Sequence, residues 1–223
     1  MNSLKMIEVP SSGAFLAIGA SVAVLVLLAV LHMLSPEFNP AWRMVSEYAN
    51  GEYAWILSLM FFLWGASSWV LAYTLRTQVQ TTAGKIGLLF LVVAGIGEVM
   101  ASVFDINHKL HSVSAMIGIP SLAIAAMLIS VNLVRVEQWS VARTSLLWTA
   151  NLTWISILLM ALAFVVMMAT YAQAGGDISA NAETVTTLPK GVIALVGWAN
   201  RFLIFVYCAW VMTIAWWTIK LGS

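Results

Sequence analysis

The sequence has little charge and a single cysteine. Lys, Arg, Asp and Glu together form only 9% of its 223 residues, whereas about 25% is usual for soluble domains. One thiol, Cys208, excludes an intramolecular disulfide, a CxxC redox pair and a four-cysteine metal cluster. A formal net charge of +1 offers no basic surface for phosphates, so nucleic acid is not an expected partner. The composition therefore excludes an ordinary soluble globular domain.

Apolar residues dominate instead. They form 62% of the chain, with a mean hydropathy of +0.95, and they are grouped into runs long enough to cross a bilayer, which takes about 20 residues. The sequence predicts an all-α transmembrane bundle, one integral membrane domain over residues 1–223, with spans near 12–34, 54–75, 86–104, 112–134, 145–169 and 192–219. The lipid bilayer is thus its first expected partner.

Basic residues predict the orientation of these spans, because cytoplasmic segments retain Lys and Arg during insertion. The N-terminal segment, the second and fourth connections and the C-terminal segment carry Lys5, Arg76, Lys85, Arg135, Arg143 and Lys220. The other three connections carry only Arg43, Lys109 and Lys190. Both termini are therefore predicted to be cytoplasmic, in a multi-pass protein of the plasma membrane or bacterial inner membrane.

Polar side chains collect at the opposite, outer end of the predicted bundle. All three histidines of the chain, His32, His108 and His111, lie at the outer ends of spans one, three and four. The outer connections also contribute hydroxyl and carboxyl groups, from Ser46, Glu47, Tyr48 and Asp105. A polar pocket at this end is the expectation.

Two charged residues lie inside predicted spans, where charge is costly and usually paired or functional. At about 1.5 Å per residue, Glu98 is roughly 10 Å below the outer mouth and Arg201 roughly 13 Å below it. Their similar depth and opposite charge predict an ion pair or a shared hydrogen-bond network. A purely structural role for such a pair is the alternative.

The leading hypothesis is an outward-facing pocket that recognises a lipid headgroup or a small polar ligand without a cofactor. In it Arg201 binds an anionic group, Glu98 holds Arg201, and Asp105 with His111 completes the rim. The predicted pocket residues are Ser46, Glu47, Tyr48, Glu98, Asp105, His111 and Arg201.

Two further classes remain open. A membrane-embedded zinc hydrolase acting on lipids would bind its metal through His32, His108 and His111. Its catalytic candidates are Asp105 or Glu98 as general base, and Ser46, although the chain has neither an HExxH nor a GxSxG motif. In the third class, a structural or assembly subunit, buried charges only set helix register. The oligomeric state is not predicted.

Short motifs in this order resemble the bacterial and archaeal membrane family known as domain of unknown function 998: Ser46-Glu47-Tyr48, Phe104-Asp105, His111-Ser112, Gly197 and Asn200-Arg201. The resemblance implies a multi-span membrane protein without an established activity, and it matches Ser46, Tyr48, Asp105, His111 and Arg201 to family positions. A looser likeness connects the chain to the membrane metal hydrolases that include alkaline ceramidases. Their HxxxH motif is absent from the final span.

Overall fold

Six long α-helices form the protein in a computed structural model that describes residues 11–177 and 187–222. Each is long and apolar enough to cross a membrane, and the described residues contain no strand. The predicted all-α bundle of six spans is confirmed. The helices are α1 (Ser11–Leu34), α2 (Ala54–Leu75), α3 (Thr82–Val103), α4 (Lys109–Leu133), α5 (Arg143–Gln173) and α6 (Val196–Gly222).

Helix starts differ from the hydropathy boundaries where polar residues cap them. The helix α3 begins four residues before the predicted span because the Thr81 side chain accepts a hydrogen bond from Gly84 N at 3.0 Å. The His108 ring likewise accepts from Leu110 N at 3.1 Å at the start of α4. Such caps satisfy backbone N–H groups that have no partner within the helix. Hydropathy alone does not detect them.

The helices pack in chain order, and α6 closes the bundle against α1. The helices α3 and α4 approach closely at Gly97 and Gly118: a Cβ atom placed on Gly97 would lie 2.5 Å from the Gly118 nitrogen. Membrane helices commonly approach through small residues, because apolar lipid provides no hydrophobic force between them. The α3–α4 contact therefore depends on the missing side chain at Gly97.

Two hydrogen bonds connect α6 to α4 across the interior. The Tyr207 hydroxyl donates to the Ile119 carbonyl oxygen at 2.7 Å, and Trp210 Nε1 donates to Ser130 Oγ at 3.0 Å. The side chains of Tyr207, Trp210 and Ser130 are buried. These bonds hold α4 and α6 together. They therefore close off, on its inner side, the space that lies between the first turns of the two helices.

The connection between α1 and α2, residues 35–53, covers one end of the bundle and contains a 3-10 helix, Val45–Asn50. We call this end, which also holds the α3–α4 connection of residues 104–108, the outer end. A second 3-10 helix, Glu137–Ala142, lies at the opposite end. Lys5, one of the basic residues that predict a cytoplasmic N-terminus, lies outside the described residues.

Candidate functional site

The first turns of α6 hold the α1–α2 connection in place. Gly197 N donates to the Ala41 carbonyl oxygen at 3.0 Å, and a Cβ atom at Gly197 would collide with the carbonyl oxygens of Pro40 and Arg43. Three residues later, Asn200 Oδ1 accepts a hydrogen bond from Val45 N at 2.9 Å. The backbone of the connection therefore rests directly on α6.

Arg201 completes this attachment with four hydrogen bonds. Its Nη1 donates to the carbonyl oxygens of Arg43 at 2.7 Å and Gly197 at 3.0 Å. Its Nη2 donates to the Tyr48 hydroxyl at 3.1 Å and its Nε to His32 Nε2 at 2.9 Å. A guanidinium has five N–H groups and accepts nothing. Most of its binding capacity is thus used within the protein.

The same network defines the state of His32. Since Arg201 only donates, His32 Nε2 must accept, so the proton of the neutral ring lies on Nδ1. Nδ1 is 3.1 Å from the Tyr48 hydroxyl oxygen, which is therefore an acceptor for both His32 and Arg201. The ring of His32 joins α1 to the α1–α2 connection and to α6.

The prediction that Glu98 and Arg201 form an ion pair or share a hydrogen-bond network is wrong. Both residues are described, yet no ion pair joins them: Arg201 has the partners given above, and Glu98 accepts from Ser68 Oγ at 2.9 Å. Glu47 instead pairs with Arg43 at 2.5 Å and accepts from Met44 N at 2.7 Å. Depth along a helix allowed a Glu98–Arg201 contact, but the two side chains face different surroundings.

Glu98 lines a cavity of about 390 Å³ between α2, α3, α4 and α6. The 3-10 helix covers it through Val45 and Ser46, and His111 lines it near the outer end. Glu98 itself is only 7% exposed. Most of the remaining wall is apolar, and no Lys or Arg of the described residues lines it. We call this space the main cavity.

A smaller cavity of about 130 Å³ adjoins the main one at the outer end. Both are lined by Ser46, Ala101, Ile106 and His111, and Asp105 lines only the smaller cavity. The Asp105 side chain also accepts from Asn107 N at 2.9 Å, within the α3–α4 turn. A carboxylate therefore stands on the solvent side of the main cavity.

The three histidines have separate partners. His32 joins the Arg201 network, and His108 caps α4. The ring Nδ1 of His111 lies 2.9 Å from the Phe104 carbonyl oxygen, which only accepts, so this nitrogen carries a proton. Within the described residues no three His, Cys, Asp or Glu side chains are grouped to hold a metal ion.

The structure divides the predicted pocket into two parts. Ser46, Glu98 and His111 line the main cavity and Asp105 the smaller one. The remaining three predicted residues hold the α1–α2 connection in place: Glu47, Tyr48 and Arg201.

Sequence reasoning missed several residues of the main cavity and its surroundings. Ser68 donates to Glu98, and the aromatic side chains of Phe61, Trp64 and Tyr207 form part of the wall. Asn200 was noted only as a motif neighbour of Arg201. Of these, the Ser67-Ser68 pair inside an apolar span was the one available signal.

Comparison with known proteins gives a family without an assigned activity. No curated protein and no solved structure matches the chain. The model of the family described as "Protein of unknown function (DUF998)" matches residues 17–217, which include α2 to α5 in full, most of α1 and α6, and every residue of both cavities. The chain therefore belongs to the DUF998 family of proteins of unknown function.

Proposed function

We propose that the protein binds a lipid headgroup or a small polar ligand in the main cavity, with an apolar part of the ligand against the apolar wall. The observation that carries this proposal is Glu98, a nearly buried carboxyl group with one side-chain partner, Ser68, in a cavity of about 390 Å³. A buried polar group is costly unless it is satisfied, so a ligand that bonds Glu98 gains free energy there. The proposal needs no cofactor.

Size and chemistry of the cavity support binding. Ligand cavities commonly measure about 300–1,000 Å³ and combine apolar walls with a few polar groups. Here those groups include Glu98, His111 and Asn200, together with Ser46, Ser112 and Ser114. Arg201 has a different part in this proposal: it holds the α1–α2 connection that covers the cavity, rather than the ligand.

Filling the cavity should abolish binding. Ala115 lines the main cavity, and we expect Ala115→Phe to occupy the space that the ligand needs. Its neighbour Met116 is 76% exposed and does not line the cavity, so Met116→Phe is the matched control. Native mass spectrometry of protein purified in mild detergent should find a retained lipid or small molecule on the wild type and on Met116→Phe, and little on Ala115→Phe.

The same measurement separates binding from a structural role. If the wild type carries no ligand from detergent and from lipid nanodiscs alike, or if Ala115→Phe retains it, the binding proposal fails and a structural or assembly subunit is favoured. A hydrolase is not favoured by the geometry, because both ring nitrogens of His32 are engaged with Arg201 and Tyr48.

The proposed site faces the cell exterior or periplasm, with both termini in the cytoplasm of a cell whose plasma membrane the protein spans. Cys208 is fully buried, so introduced cysteines report their own accessibility. We expect Lys109→Cys, at the exposed outer end, to react with a membrane-impermeant maleimide in intact cells. Gln138→Cys, exposed at the opposite end, should react only after permeabilisation. The reverse pattern would contradict the orientation.

A further inference from the structure

The main cavity holds a carboxyl group without a cationic partner. Glu98 accepts a hydrogen bond from Ser68, and no Lys or Arg in the described part of the chain lines the cavity. An ionised carboxylate in such surroundings is strongly disfavoured unless a cation neutralises it. The cavity therefore offers a ligand cation the negative partner that the protein leaves unpaired.

Aromatic side chains stand in the same wall. Phe61, Trp64 and Tyr207 line the cavity, with the Trp64 ring 6.2 Å from Phe61 and 6.0 Å from Tyr207 between centroids. The hydroxyl of Tyr207 is engaged with the Ile119 carbonyl, which leaves its ring as the contact surface. Rings of this kind bury a large apolar area against the apolar part of a ligand, and aromatic groups also attract a cation held near them.

Trp64 adds an unpartnered hydrogen-bond donor to the wall of the main cavity. Trp64 is only 5% exposed, and its Nε1 is buried without a hydrogen-bond partner among the described residues. Buried Trp N–H groups usually find an acceptor. Trp64 lines the main cavity, so a ligand oxygen, or a water held with the ligand, is a candidate acceptor for this donor.

Other ligand classes fit these groups less well. An anion would find no basic side chain and would meet the Glu98 carboxyl. A metal ion would find one carboxyl group where several ligands are needed, and no three His, Cys, Asp or Glu side chains of the described residues are grouped to hold one. The smaller cavity at the outer end adds Asp105, whose negative charge attracts cations towards the main cavity.

We infer that the main cavity selects ligands in which an ammonium group is attached to an apolar body, with the ammonium at Glu98 and the apolar body against the aromatic wall. This inference rests on the proposed function and names its ligand class. The ammonium could belong to a phospholipid headgroup or to a free amphiphilic amine, and both share the chemistry that Glu98 recognises.

Three small probes of similar shape test the selection. Calorimetric titration of purified protein compares 2-phenylethylammonium, neutral 2-phenylethanol and anionic phenylacetate. We expect the ammonium to bind at least about tenfold more tightly than the alcohol, and phenylacetate to bind least. Glu98→Gln, which keeps the shape and removes the charge, should abolish this preference, and Glu98→Asp should restore part of it. Glu137 is an exposed carboxylate, so Glu137→Gln is the control and should bind the three probes as the wild type does.

A second experiment, with lipids, distinguishes a phospholipid headgroup from a free amine. Wild-type protein in nanodiscs of phosphatidylglycerol with phosphatidylethanolamine should retain the ethanolamine lipid in native mass spectra, and Glu98→Gln should lose it, if the ligand is a headgroup. Retention of 2-phenylethylammonium alone identifies a free amine. If the alcohol or phenylacetate binds as tightly as the ammonium, the inference fails while the proposed function stands. If no probe or lipid binds and Ala115→Phe changes nothing, the proposed function fails as well.

Discussion

Replacing Arg201 with leucine should lower the free energy of unfolding by about 3 kcal/mol, since hydrogen bonds to charged groups contribute about 1.5–3 kcal/mol each and Arg201 makes four. The cost of burying the guanidinium, which the variant avoids, offsets part of that sum. The variant also leaves His32 Nε2 and the Arg43 carbonyl oxygen without their donor. Chemical unfolding in detergent, followed by the fluorescence of the 11 tryptophans, measures the change.

Arg201→Lys keeps the charge but replaces a planar donor group with a single ammonium, which cannot reach all four acceptors. We expect it to lose about half as much stability as Arg201→Leu. The control is Arg135→Leu, since Arg135 is exposed and its replacement should leave the unfolding midpoint unchanged. In Arg201→Leu, trypsin should also cleave faster after Arg43, because the α1–α2 connection loses its attachment. A wild-type midpoint together with a wild-type cleavage rate would contradict the proposed attachment.

Replacing Gly97 with alanine should destabilise the protein by about 2 kcal/mol, in the range measured for overpacked cores. The added methyl group would lie 2.5 Å from the Gly118 nitrogen and 2.7 Å from the Ser114 carbonyl oxygen. These atoms belong to the backbone of α4, so the collision cannot be relieved by rotating a side chain. The helices α3 and α4 must separate, which also deforms the cavity wall beside Glu98.

The matched control lies across the same contact. A Cβ atom at Gly118 would meet its nearest neighbours at 3.6 Å, an ordinary van der Waals distance, so Gly118→Ala should not destabilise the protein, and the helix propensity of alanine favours it by up to about 1 kcal/mol. Both variants gain the same methyl group in a helix, so intrinsic helix propensity does not distinguish them. Equal effects of the two variants would show that the α3–α4 contact is not limited by Gly97.

Individual residues show how far sequence reasoning reached at the site. It placed Glu98 and Arg201 inside the membrane, and both are nearly buried. Their proposed pairing failed because depth along a helix does not specify which neighbour a side chain meets. Arg201 reaches His32 and Tyr48 through contacts separated by 169 and 153 positions in the chain. No local pattern encodes such separations.

The low charge and the long apolar runs were sufficient to determine six helices long and apolar enough to cross a membrane, because a backbone in lipid must satisfy its own hydrogen bonds and does so within each helix. This requirement acts within each helix, so the apolar runs of a single sequence are enough to recognise it. The sorting of the few polar residues is different. Tertiary packing assigned Arg201 to the attachment of the α1–α2 connection and left Glu98 in an apolar cavity, because donors and acceptors are matched only when helices distant in sequence are brought together.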